Sequence, residues 1–87
     1  MRITQTTQFE KDLKTQQKRG KELQKLKILI GQLLSDEPLP AQNRDHALAG
    51  LWFEWRDCHL GPDWLLIYKR SSEELILGRT VSHSDLF

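Results

Sequence analysis

The hydrophobic positions change period once along the chain. Leu23, Leu26, Ile30, Leu33 and Leu34 recur at offsets of 3, 7, 10 and 11, the stripe of an amphipathic helix. Ahead of them, Phe9 and Leu13 lie four apart and give a narrower stripe. Thr7-Gln8-Phe9-Glu10 matches a capping box, in which a Thr hydroxyl and a Glu three residues on satisfy each other's backbone amides. Gly20 reads as the stop of this helix, so two helices joined there form a hairpin. Arg2-Ile3-Thr4-Gln5 reads as a short first strand, and the stretch 35–43, with Pro38 and Pro40, as a loop.

Beyond the loop come short runs rich in aromatic and branched residues, at 51–60, 64–70 and 74–80. Gly61-Pro62-Asp63 and Arg70-Ser71-Ser72-Glu73 break them into two consecutive hairpins. Trp64-Leu65-Leu66-Ile67-Tyr68 is apolar on both alternations, which predicts a central strand buried on both faces. The expected architecture is α+β, a single domain over residues 1–87 with two N-terminal helices packed on one face of a small antiparallel sheet. The last strand has a parity conflict. Leu75, Leu77 and Arg79 share a face, yet the first two belong in the core, and a bulge or strong twist near Gly78 resolves it.

A chain of 87 residues holds one domain and excludes large two-domain cofactor folds. Its longest apolar run, 64–68, is far short of the ~20 residues that span a bilayer. Met1-Arg2-Ile3-Thr4-Gln5 lacks the apolar stretch of a signal peptide, and the single Cys58 cannot form an internal disulfide. A cytoplasmic protein without membrane contact is therefore expected. The net charge of +1 hides an asymmetry: residues 1–30 hold eight basic against three acidic side chains, and residues 31–87 hold five against nine. Lys11, Lys14 and Lys18 share one outer helix face, and Lys21 and Lys25 another. Such a basic half suits a polyanionic partner, or simply a solvated, lysine-rich helix face.

All three histidines lie in the C-terminal half, each with an Asp within two positions: Asp45-His46, Asp57-Cys58-His59 and His83-Ser84-Asp85. Asp63 opens the strand after the turn that follows His59, and Arg79 closes the final strand. Three readings fit these residues. The first is metal-independent cleavage of RNA, in which a base takes the ribose 2′-hydroxyl proton, a cation stabilises the phosphorane and an acid protonates the leaving 5′-oxygen. Histidine suits both proton transfers, and a guanidinium suits the phosphate. The second is a metal site of His46, His59, Asp63 and His83, although the spacings match no recognised zinc pattern. The third is a binding module whose histidines cap or fill turns, which composition and spacing alone favour. Trp64, at a strand start, is a candidate for stacking on a base, and otherwise a core residue. Phe87, at the end of the chain, otherwise reads as a hydrophobic anchor. Cys58 and His59 point to opposite faces of a strand, so they cannot readily pair as nucleophile and base.

Three blocks then carry a resemblance: Arg44-Asp45-His46-Ala47-Leu48-Ala49-Gly50, the run 56–68 with Cys58-His59-Leu60-Gly61-Pro62-Asp63-Trp64, and Arg79-Thr80-Val81-Ser82-His83-Ser84-Asp85-Leu86-Phe87. Together they resemble the YafQ family of the RelE superfamily of type II toxins, and the basic N-terminal helical pair fits as well. The resemblance implies a RelE-like fold and an mRNA endoribonuclease acting in the ribosomal A site. It also implies neutralisation by a cognate antitoxin protein in a hetero-oligomeric complex. By position, His46, His59, Asp63 and His83 match the family's acid–base residues, with His83 as general acid and Asp63 or His59 activating the 2′-hydroxyl. Arg79 matches the phosphate-stabilising arginine, Trp64 and Phe87 match substrate-contacting residues, and Lys11, Lys14 and Lys18 would contact ribosomal RNA. No metal and no cofactor is implied. The competing expectation is a weakened relative that binds antitoxin or ribosome without cutting.

Two departures from the family pattern bear on that choice. Val81 stands where glycine is common, and a β-branched residue cannot easily take a positive φ, so the tail holding His83 is expected to be set differently. Leu51-Trp52-Phe53-Glu54-Trp55 is bulkier than the usual Asn-Trp-x-Gly-Tyr-like stretch and is expected to bring an acidic side chain near the site.

Overall fold

The computed structural model describes residues 1–35 and 38–86. Strand β1 spans Arg2–Gln5, helix α1 Thr7–Lys18 and helix α2 Leu23–Leu34. Strands β2 (His46–Ala47), β3 (Arg56–Gly61), β4 (Trp64–Arg70) and β5 (Glu74–Val81) follow, then a single helical turn, α3, at His83–Leu86. The strands form one sheet in the order β1-β5-β4-β3-β2. The class is α+β with two N-terminal helices on the sheet, as the sequence implies. The sheet is mixed, because β1 joins β5 in parallel while β2 to β5 form an antiparallel meander.

Helix α1 begins one residue earlier than the capping-box reading. Thr6 is the cap: its Oγ1 accepts from Phe9 N–H (3.0 Å) and donates to the Gly78 carbonyl (2.9 Å), which ties the helix start to β5. The helix stops as expected at Gly20. With φ at +80°, Lys21 N–H reaches Gln16 O and Gly20 N–H reaches Gln17 O, so the last carbonyls find donors. At the end of α2, Arg70 Nη1 donates to Leu33 O (2.8 Å).

The core lies between the helices and one face of the sheet. Phe9, Leu26, Leu29 and Leu33 pack with Cys58, Trp64, Leu66, Tyr68, Leu75 and Leu77. Each such large side chain contributes roughly 1.5–3 kcal/mol by leaving water. Strand β4 is central, and Trp64 through Tyr68 are all buried, as the double-sided apolar pattern requires. The parity conflict in β5 is resolved by a bulge. Tyr68 pairs with Leu77 and Ile67 with Arg79, so Gly78 is the unpaired extra residue. Leu75 and Leu77 therefore face the helices, while Arg79 lies in register with Ile67 on the other side. Gly78 also admits the Trp55 ring, since a Cβ there would sit 2.5 Å from Trp55 Cζ3.

The 51–60 run departs from its expected form. The strand predicted over 51–60 begins only at Arg56. Gly50–Trp52 form a 3-10 turn instead, and Glu54 takes φ +76°, which no strand residue adopts. Val81 takes no positive φ: it is a regular β5 residue paired with Leu65, a position that suits its branched side chain.

Candidate active site

Alternation along β3 turns Cys58 into the core and Asp57 and His59 to the face away from α1 and α2. On that face the register aligns a row across four strands: His46 opposite Asp57, Asp57 opposite Ile67, Ile67 opposite Arg79. A second row runs His59, Leu65, Val81, and the chain then turns into α3, which begins at His83. Arg44, His46, Leu48, Asp57, His59 and His83 line one cavity of about 360 Å³. All three histidines are thus brought together from separate elements.

Asp57 sits at their centre. Its side chain is only 4% exposed, with Oδ1 3.3 Å from His46 Nδ1 and 3.8 Å from His59 Nε2. The His46 Nδ1 proton goes to the Arg44 carbonyl (2.7 Å), so Asp57 Oδ1 is buried with no hydrogen bond among the described residues. Burial pushes the Asp57 carboxyl above its ordinary range, opposed by the charges of His46, His59 and His83. A carbonyl only accepts, so the His46 contact fixes the proton on Nδ1 and leaves the Nε2 lone pair available. The His46 and His59 rings lie 6.4 Å apart, centroid to centroid.

The remaining aspartates hold the frame. Asp45 does not pair with its neighbour His46. Its Oδ1 accepts from Tyr68 Oη (2.6 Å) and Arg56 Nε (3.1 Å), anchoring the segment that leads into β2. Asp63 is not among the residues lining the cavity; its Oδ1 accepts the His83 backbone N–H (3.0 Å). Asp85 and Ser82 exchange bonds across the same turn, and Arg19 Nη1 reaches Asp85 Oδ2 at 2.7 Å.

Arg79 is bound side-on by Asp12 of α1, Nε to Oδ2 at 2.6 Å and Nη2 to Oδ1 at 3.1 Å. It lies two strands from Asp57, about 10 Å at the usual strand spacing. Lys11, Lys14 and Lys18 are exposed on α1. Trp64 is placed differently from the stacking expectation: it is 3% exposed in the core, and its Nε1 donates to Thr80 Oγ1 (2.8 Å), so its ring offers no open face. Phe87 lies outside the described residues. The acidic side chain expected near the site is elsewhere, because Glu54 pairs with Lys69 at 3.1 Å. Cys58 is buried with its thiol pushed up by desolvation, which removes it as a nucleophile. Among the described residues no three His, Cys, Asp or Glu side chains are arranged to hold a metal ion, and no helix is long and apolar enough to cross a membrane.

Asp57 and Asp12 emerge as candidate functional residues only from the structure. The first carried a signal, since Asp57 and His59 two apart on a strand must share a face. The second shares the buried stripe of α1 with Phe9, Leu13 and Gln16, a polar residue at an apolar position.

The small α+β sheet thus carries a histidine-lined cleft on one face and the basic helix α1 against the other. Residues 1–87 match the family model described as a bacterial toxin of type II toxin-antitoxin system, YafQ, and the chain belongs to that family. It is 45% identical over 86 residues to the mRNA interferase toxin YafQ of Escherichia coli K12, covering 98% of this chain and 94% of the relative. Its fold matches the crystal structure of YafQ from E. coli BL21(DE3) with a TM-score of 0.94, at 44% identity over 100% of this chain and 99% of that one. It matches the E. coli DinJ-YafQ toxin-antitoxin complex with a TM-score of 0.90, at 45% identity over 98% and 94% of the two chains.

Proposed function

We propose that this chain is the toxin of a type II pair: a cytoplasmic, ribosome-dependent mRNA endoribonuclease that binds a cognate antitoxin protein in a hetero-oligomeric complex. The observation that carries the reading is the convergence of His46, His59 and His83 on the buried Asp57 in one cavity. His46 Nε2 takes the proton of a ribose 2′-hydroxyl, and the 2′-oxygen attacks the adjacent phosphorus. His83, protonated beforehand, gives its proton to the departing 5′-oxygen. The products are a 2′,3′-cyclic phosphate and a 5′-hydroxyl. As His46 gains its proton, the Asp57 carboxylate 3.3 Å away stabilises the imidazolium, much as a buried Asp supports a catalytic histidine elsewhere. His59 completes the polar wall beside Asp57, Asp63 positions His83 through its backbone, and Arg79 stabilises charge on the phosphorane.

The exposed Lys11, Lys14 and Lys18 are suited to ribosomal RNA phosphates, so binding should weaken steeply with salt through counterion release. The test is a translation reaction on a defined message, with primer extension reading the 5′ ends. Cuts at fixed codon positions that persist in EDTA and vanish with His83→Ala are the expected result. Ribosomes stalled on intact message with both proteins would replace this reading with a non-cleaving binder. Cleavage lost on chelation would replace it with a metal-dependent nuclease.

A further inference from the structure

Among the described residues the outer edge of β5 has no strand partner beyond Leu77, because β1 pairs only with Glu74–Leu77. Side chains from the start of α1 and its buried face take the place of a strand. Thr6 Oγ1 donates to Gly78 O, Asp12 Oδ2 accepts from Thr80 N–H (3.2 Å), and Gln16 Nε2 donates to Thr80 O (3.3 Å). Asp12 is 6% exposed and collects four donors: Thr80 N–H, Gln8 Nε2 (3.1 Å), and Arg79 Nε and Nη2. A carboxylate this enclosed cannot turn to follow its partner, so the partner is held to it.

The way Arg79 is held matters for chemistry. A guanidinium has two bidentate edges, one formed by Nε and Nη2 and the other by Nη1 and Nη2. Asp12 occupies the first and leaves the second, which matches two phosphate oxygens equally well. From the bulge at Gly78, Arg79 lies in register with Ile67 and hence in the row that carries Asp57 and His46. We infer that Asp12 is a positioning residue for catalysis, clamping one edge of Arg79 so that the other is presented to the scissile phosphate. This rests on the reading of Arg79 as the phosphate-stabilising cation.

The alternative is that Asp12 only pins α1 to the strand edge. Asp12→Asn separates the two. With the amide oxygen in the place of Oδ2 it still accepts Thr80 N–H and Arg79 Nε, but the NH₂ in the place of Oδ1 meets Arg79 Nη2 donor to donor, so the charge and the two-point clamp are lost and the guanidinium is free to swing about Nε. Steady-state cleavage of ribosome-bound message is measured for wild type, Asp12→Asn, Arg79→Ala and the double variant. Expected is a roughly tenfold loss of kcat in Asp12→Asn with KM within about threefold, and no further loss when it is added to Arg79→Ala. Equal losses in both backgrounds would overturn the inference and leave Asp12 a structural pin. If Arg79→Ala itself keeps full kcat, the assignment of Arg79 falls and takes the inference with it. Should Asp12→Asn not fold, Asp12→Glu is measured in the same two backgrounds. Its retained charge but displaced oxygens should give a smaller kcat loss, again absent without Arg79.

Discussion

Asp57 stands directly across the β2–β3 ladder from His46, with Oδ1 3.3 Å from the ring's Nδ1 and no hydrogen bond to satisfy it among the described residues. A buried carboxylate left in this state costs stability in the resting protein and supplies electrostatic stabilisation when a neighbouring histidine takes up a proton. The two effects predict opposite outcomes for one substitution. Asp57→Asn should lower kcat by about 10²-fold or more while raising Tm by a few degrees at neutral pH, where ~1 kcal/mol is worth about 4–8 °C in a domain this size. The pH dependence has a definite sign. Because burial raises the folded-state value above the ordinary 3.8, the native protein binds the proton more tightly than the unfolded chain. The carboxylate's cost to stability therefore grows as pH rises from 3.8 through the raised value. The Tm gap between Asp57→Asn and wild type should widen across that window and then level off. A gap independent of pH would mean the gain has another cause.

Gly78 serves two purposes, the bulge that sends Arg79 to its face and the floor beneath the Trp55 ring. A methyl group there would meet Trp55 Cζ3 at 2.5 Å, and a rigid indole must swing as a whole to clear it, unlike a flexible chain end. Gly78→Ala should cost about 1–3 kcal/mol by overpacking, read as a lower urea midpoint at unchanged m. Adding Trp55→Leu should recover part of that loss. If the single variant matches wild type in stability, the Trp55 packing is not as described.

Much of this was legible from the chain. The α+β order, the stop at Gly20, the doubly buried β4 and the bulge near Gly78 all follow from periodicity and turn chemistry, because each depends on residues close in sequence. The errors share a cause as well. Thr6 rather than Thr7 caps α1 because the Thr6 hydroxyl also reaches Gly78, 72 residues away, and no local motif encodes that. The 51–55 run reads as a strand from its aromatic content, but the 3-10 turn and Glu54 in the left-handed region override propensity. The histidines were visible as candidates, whereas their convergence on Asp57 depends on the β2–β3 register. Trp64 looked open at a strand start, but the hydroxyl that accepts its N–H belongs to Thr80 on a neighbouring strand.

Glu54 provides a stability test of the atypical 51–55 stretch. At φ +76° its Cβ carries strain of roughly 1–2 kcal/mol, only partly offset by an exposed ion pair with Lys69 worth about 0–1 kcal/mol. Glu54→Gly removes the strain at a cost in unfolded-chain entropy, for a net gain of about 0.5 kcal/mol. Glu54→Ala keeps the Cβ and loses the ion pair, so it should gain nothing. Urea denaturation of the two variants beside wild type settles the sign. Cleavage should be unchanged in both, because the Glu54 carboxylate is directed to Lys69 rather than into the histidine cavity.

The turn that carries His83 is held from three directions. Asp63 Oδ1 accepts the His83 N–H, Ser82 and Asp85 cap each other, and Arg19 at the end of α1 bonds Asp85 at 2.7 Å. Arg19 first, and then the Ser82 donors, lower the Asp85 carboxyl to about 2. A lowered folded-state value means the contribution is complete above the ordinary 3.8 and is lost as pH falls from there through about 2. The turn should therefore loosen in acid before the sheet does. In hydrogen exchange, the Ser82 and Asp85 amides should lose protection over that range while the β4 amides keep theirs. Asp85→Ala should reproduce the loosening at neutral pH, lowering kcat several-fold with the global urea midpoint nearly unchanged, since the lost contacts are local and exposed. A drop in kcat matched by a proportionate fall in the midpoint would show that the turn instead supports the whole fold.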